Sequence, residues 1–282
     1  MKLTKIFSVA ELIEIVNRLP NNYIFRGQAN SNWSLQSSLE RVVGEGWNSQ
    51  SAEQFEEFSL ERFQSKFHLY DAENCQPNSK LAWLAAMQHY GVPTRLVDFT
   101  ESPYVALYFA LETFNTSADT NFSLYMFDYR AILDKSISYI KNMDREFCES
   151  RQSVRRQQDE IFETIVDRFS YDIAWVTEPK ILNARIDRQS GSFLLSGNRG
   201  KKIEEILSSD LYNDVDMQKL IIPGELAEGV YALLRKMNVT SKSLYGDLDG
   251  LARSIRMEMQ VYAVRKVSTA SPRGFLPNQD SI

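Results

Sequence analysis

Residues 88–112 read QHYGVPTRLVDFTESPYVALYFALE, and this stretch decides the fold. Gly91 suits the position just past a helix end, where positive φ is needed and a Cβ would be strained. Val92-Pro93 then forbids the helix to continue. Residues 95–99, RLVDF, have the pattern of a short strand that ends near an acid. Thr100 or Ser102 can cap the helix that follows, and Pro103 suits its first turn. Residues 104–111 are apolar almost all round, which predicts a buried helix. Arg95, Asp98 and Thr100 are thus delivered to the end of a strand by a rigid core.

Residues 23–28, YIFRGQ, form a second such segment: an apolar strand running into Arg26, Gly27 and Gln28. An arginine at a buried strand end needs a partner, because burying its charge is costly. Its planar fork suits a phosphate or carboxylate ligand, and an ion pair with Asp98 is the structural alternative. Gly27 allows a ligand or another backbone to approach closely. His89 lies at a helix end, where a cation is favoured by the dipole, and it is also the best general acid–base candidate in the chain. Alternation along a strand puts Arg95 and Asp98 on opposite faces, so both serve one site only if the strand ends before Asp98. Tyr90, Tyr104, Tyr108 and Phe109 read as core, with a base-stacking cage as the alternative.

The triplet Phe25-Arg26-Gly27 and the block 88–110 resemble the FRG domain, a family named for its Phe-Arg-Gly triplet. A third, weaker block is matched by Arg185, Gln189, Gly191 and Phe193. The resemblance spans about residues 20–255. It places small stand-alone proteins of this kind in phage defence or toxin systems. The order of the blocks is also similar to that of the ADP-ribosyltransferases. That likeness implies NAD as co-substrate, with Arg26 on a phosphate and Thr100 beside the nicotinamide. The third block departs from it. Gln189 stands where a Glu is expected, and a neutral amide cannot stabilise an oxocarbenium ion as a carboxylate does. Asp98 or Glu101 would have to replace it. The residue reading and the resemblance together give Arg26, His89 and Asp98 as candidate catalytic residues. Gly27, Gln28, Arg95, Thr100, Arg185 and Gln189 would bind substrate. The two function classes are a transferase acting on a nucleotide-like, phosphate-bearing molecule and a non-catalytic module that senses one, either of them able to engage a macromolecular acceptor or partner.

Composition bounds the rest. The chain has 282 residues, 43% apolar and 24% charged, with a net charge of −5. The acidic balance argues against broad nucleic-acid binding. No apolar run is long enough for a membrane span. The start of the chain, MKLTKIFSVAELIEIV, reads as an amphipathic helix with a capping box at Ser8 and Glu11. Two cysteines, Cys75 and Cys148, and two histidines give neither a disulfide framework nor a metal site. These features read as a cytoplasmic protein. Residues 145–168 read as a long solvated helix of paired charges, with a phosphate-binding face as the alternative.

Helical periodicity marks residues 9–19, 52–69, 80–90, 130–141, the arginine-bearing segment to about 169, 225–237 and 247–256. Strand patterns mark 22–25, 96–99, 123–127, 173–176, 192–195, 219–222 and 260–264. The class is α+β, a mixed and largely antiparallel sheet with surrounding helices, since strands and helices do not alternate regularly. One domain over residues 1–266 and a poorly ordered tail at 267–282 are expected.

Overall fold

The computed structural model describes residues 1–70, 76–114, 120–179, 187–246 and 248–268, apart from the side chains of 249 and 261–268. In chain order come β1 (Lys2–Lys5), α1 (Val9–Arg18), β2 (Tyr23–Gln28), α2 (Ser38–Val43), α3 (Ser49–Phe67) and α4 (Lys80–His89). Then follow β3 (Val97–Thr100), α5 (Pro103–Glu112), β4 (Phe122–Asp128), α6 (Tyr129–Met143), β5 (Ala174–Thr177), β6 (Gly191–Ser196) and β7 (Met217–Ile222). The strands form one sheet in the order β1-β7-β4-β2-β3-β6-β5. Only the β1–β7 pairing is parallel; the other five are antiparallel.

Strand alternation sorts the buried side chains into two cores. Tyr125, Phe127, Phe99 and Trp175 pack with α4 and α6 on one face, where Leu81, Leu84, Ile132 and Ile140 meet them. Phe25, Leu124, Met126 and Leu220 pack with α1, α5 and the helix Ala227–Lys236 on the other.

The 88–112 stretch folds as its sequence dictates. Gly91 has φ +81°, the Gly91 amide donates to the Gln88 carbonyl, and the Val92 amide donates to the Met87 carbonyl. Those two bonds are a Schellman closure, which satisfies carbonyls at the end of α4. Ser102 caps α5 by accepting from the Val105 amide, with Pro103 in the first turn. The helix buries Val105, Ala106, Leu107, Tyr108, Ala110 and Leu111. It lies against β2 at Gly27, where an added Cβ would stand 1.9 Å from the Ala106 carbonyl oxygen and 2.8 Å from the Ala110 nitrogen. The closely approaching backbone at Gly27 is therefore that of α5.

Four sequence expectations are corrected. Residues 2–5 are a parallel edge strand, and the helix begins only at Val9, after the Ser8 cap. Residues 260–264 lie inside the helix Leu248–Ser268. β2 extends through Arg26, Gly27 and Gln28, because β4 pairs with it as far as Ser123. Residues 145–168 do not form one helix. Short helices Arg151–Arg156 and Gln158–Ile161 lead into a π-turn, Phe162–Val166, whose Phe162 and Val166 are buried. Arg185, Cys75, Asp247 and residues 269–282 lie outside the described residues. No helix among the described residues is long and apolar enough to cross a membrane.

Candidate functional site

β2 and β3 are neighbours in the sheet but share a single registered pair, Phe25 opposite Thr100. Past it, β2 stays with β4 as far as Gln28 while β3 stays with β6 back to Val97. The two strands part, and a cavity of about 810 Å³ fills the gap. Its walls include Ala85, Gln88 and His89 of α4 and Ala106, Phe109 and Glu112 of α5. Those helices pack on opposite faces of the sheet, so the cavity is walled from both faces.

Arg26 sits in the gap. Its Nη1 donates to the Asp98 carbonyl at 2.7 Å, an acceptor the parted strands leave free, and lies 3.9 Å from the Asp98 carboxylate. Its Nε is buried without a partner. Burial disfavours the guanidinium charge; Asp98 offsets this, and Arg41 across the cavity adds to it. Asp98 is 59% exposed and is held from the side, its Oδ2 accepting from Gln88 Nε2 at 2.9 Å. Gln88 is fixed in turn, because its Oε1 accepts from the Thr94 hydroxyl at 2.6 Å. A neutral amide thus aims the carboxylate without neutralising it.

A row of side chains continues from Arg26 across the sheet. Arg26 is opposite Tyr125, and Tyr125 is opposite Lys219. Lys219 is only 6% exposed, has no carboxylate in ion-pair range among the described residues, and lies over the Tyr125 ring at 4.6 Å. Burial holds its ammonium below the usual lysine pKa, and the tyrosine hydroxyl is pushed up by the same cause. Gln28, 8% exposed, donates to the Ser34 carbonyl, and its Oε1 is buried unpartnered.

The structure brings Arg26, Gly27, Gln28, His89, Asp98, Thr100 and Gln189 to the walls of this one cavity. Some of them already carry structural bonds. The Thr100 hydroxyl donates to the Gln189 carbonyl at 2.6 Å and accepts from the Ser102 amide. Gln189 Nε2 donates to the Leu244 carbonyl at 3.4 Å. His89 is half-buried at the end of α4, its ring edge-on to Tyr90 at 4.7 Å.

Arg95 is not in the cavity, which corrects the expectation that it binds substrate there. It is 5% exposed and sits in a buried ion network on the α3–α4 side. Its Nε reaches Glu56 at 2.8 Å and its Nη2 bonds Asp167. Lys80 and Arg199 reach the same Asp167 at 2.7 and 2.6 Å. Burial works to raise the Asp167 pKa, but the three cations overcome it and bring it down to about 2. Alternation made this outcome readable: Arg95 and Asp98 are three apart and face opposite ways. Glu101 also misses the cavity, lining instead a groove beside Arg130, Arg155 and Glu178. Tyr108 is core, Tyr90 is 67% exposed, and Phe109 is a cavity wall.

Sequence reasoning overlooked Gln88 as the residue that orients Asp98, and Arg41, Trp33, Phe193 and Arg253 as walls. Gln88 opens the most specific block, so a signal was there. Phe193 closes the third block, while Arg41, Trp33 and Arg253 lie in stretches with no distinctive pattern.

Residues 21–119 match the family model of the FRG domain, which covers the triplet and the 88–112 block but not the third block. No curated protein and no solved structure gives a significant match.

Proposed function

We propose, on the premise that this chain carries an FRG domain over residues 21–119, that its cavity binds a nucleotide-like, phosphate-bearing molecule and transfers ADP-ribose from NAD. One observation carries the reading: a half-buried guanidinium with a buried, unused Nε stands at the parted strands of a cavity that Arg41 also lines, facing a carboxylate that Gln88 aims. An arginine fork is suited to phosphate oxygens, and a cation left short of charge partners favours an anionic ligand.

In the proposed reaction the ribose–nicotinamide C–N bond breaks and nicotinamide leaves with the electron pair. The Asp98 carboxylate stabilises the positive charge that develops at the ribose. An acceptor hydroxyl, amine or amide forms the new bond, and His89 takes its proton. Arg26 and Arg41 hold the diphosphate.

A second reading shares the cavity without the chemistry. The bonds that Arg26 makes to the Asp98 carbonyl and Thr100 to the Gln189 carbonyl favour it, since both side chains already serve the fold. Nicotinamide release in the presence of cell extract separates the two. Asp98→Asn keeps size and removes charge, so turnover should fall about a hundredfold or more while affinity changes little. Gln189→Glu, which restores the missing acid, is tested alongside. Dinucleotide binding without release by wild type favours the sensing module; full release by Asp98→Asn shows that the acid is elsewhere.

A further inference from the structure

The loop that follows β2 carries Trp33 over the row Arg26, Tyr125 and Lys219. Three side chains hold its backbone. Lys219 Nζ donates to the Trp33 carbonyl at 2.9 Å, the Tyr125 hydroxyl donates to the same oxygen at 3.3 Å, and Gln28 Nε2 donates to the Ser34 carbonyl at 3.1 Å. The Ser31 amide, which donates to the Asn121 carbonyl, ties down the near side. These bonds use main-chain carbonyls, so any residue at position 33 would satisfy them. The fold does not need an indole there. Yet Trp33 is 53% exposed, the only tryptophan so exposed among the described residues, and it is a wall of the cavity. Fixing the loop has a cost, since Lys219 is buried to do it with no carboxylate in ion-pair range among the described residues, only the more distant Glu204. A large flat ring carried by an anchored backbone, on a cavity that two arginines also line, suits a ligand that has both an anionic and a heteroaromatic part.

We infer that Trp33 is a preorganised stacking platform for the heteroaromatic ring of the cavity's nucleotide, set in place by Lys219 through the Trp33 carbonyl. This rests on the proposed nucleotide reading and deepens it. The phosphate arm is read by Arg26 and Arg41, and the ring by Trp33. Because the indole is half in solvent and its carbonyl bonds survive substitution, Trp33 can be changed without disturbing the core.

The test is calorimetric titration of wild type, Trp33→Phe, Trp33→Leu and Trp33→Ala with ADP and with NAD, beside thermal melting of each. All four should melt alike. Trp33→Phe should retain affinity within about threefold, whereas Trp33→Leu and Trp33→Ala should lose about 5- to 150-fold, the span of one base–aromatic stack. A loss for both ligands identifies adenine as the stacked ring, and a loss for NAD alone identifies nicotinamide. Equal affinity in wild type and Trp33→Ala overturns the inference and leaves the nucleotide reading intact. So does Trp33→Leu binding as well as Trp33→Phe, which would make the contact merely apolar. Failure of wild type to bind either ligand overturns the nucleotide reading and this inference with it.

Discussion

Gly27→Ala should unfold this protein at a markedly lower temperature without removing any polar group of the cavity. The added methyl would lie 1.9 Å from the Ala106 carbonyl oxygen and 2.8 Å from the Ala110 nitrogen, both backbone atoms of α5. Contacts under 3.0 Å are essentially never tolerated, so α5 must retreat by at least about 1.1 Å at that point. A side chain could swing away; a helix backbone cannot. The helix carries six buried side chains, and moving it loosens their contacts with Phe25, Leu124 and Met126. Overpacking of a tight core costs about 1–3 kcal/mol, and a clash with main chain belongs at the upper end. For a chain of this size that is a fall in Tm of roughly 6–12 °C. Differential scanning calorimetry beside urea denaturation would measure it. A Tm within about 2 °C of wild type, with nucleotide binding lost, would refute the packing argument. It would return Gly27 to the ligand-contact role that the sequence suggested.

Arg26→Ala should keep its melting temperature within a few degrees yet lose about 10- to 150-fold in dinucleotide affinity, and Arg26→Lys should fail similarly because a point charge does not replace the fork. Retained affinity in Arg26→Lys would argue against bidentate recognition. Arg95→Met should cost roughly 3 kcal/mol of stability, since Glu56 and Asp167 stay buried with one cation fewer, while the folded protein binds ligand normally. A binding defect without a stability defect would restore Arg95 to the site. Acid unfolding should expose the same network: the Asp167 pKa is depressed on folding, so its stabilisation is complete above about pH 4 and is lost as pH falls towards 2. Its contribution is on the order of 2 kcal/mol, measured as the difference in acid midpoint between wild type and Asp167→Asn. Identical midpoints would show that Asp167 does not control acid stability.

Local chemistry sufficed for much of the fold. The closure of α4 at Gly91, the cap and buried character of α5, the strands around Val97 and Phe25, and the α+β class with a largely antiparallel sheet were all legible. The first three rest on interactions within a few residues, namely positive φ, a cap, and a period of two or of 3.6, and the class on the irregular order of strands and helices along the chain. The FRG resemblance was equally legible, because each of its two strongest blocks is an unbroken run of sequence. The helix–strand distinction failed at residues 2–5 and 260–264, where segments this short fit either period and only the neighbours decide. β1 is a strand because β7 offers it an edge, and 260–264 is helical because it continues a helix already begun.

The site divides along the same line. That Arg26, His89, Asp98 and Thr100 are polar groups carried by core-forming segments could be read directly. Which of them meet could not. Arg95 belongs to the network of Glu56, Lys80, Asp167 and Arg199, residues distant in sequence that only tertiary packing gathers. The cavity exists because β2 and β3 prefer their outer partners to each other after one pair, and strand pairing is a long-range choice that no local pattern encodes. The sequence alone therefore determined which side chains are available for chemistry. The tertiary structure decided which of them stand around the gap, because charge pairing and strand registration act between residues the chain keeps far apart.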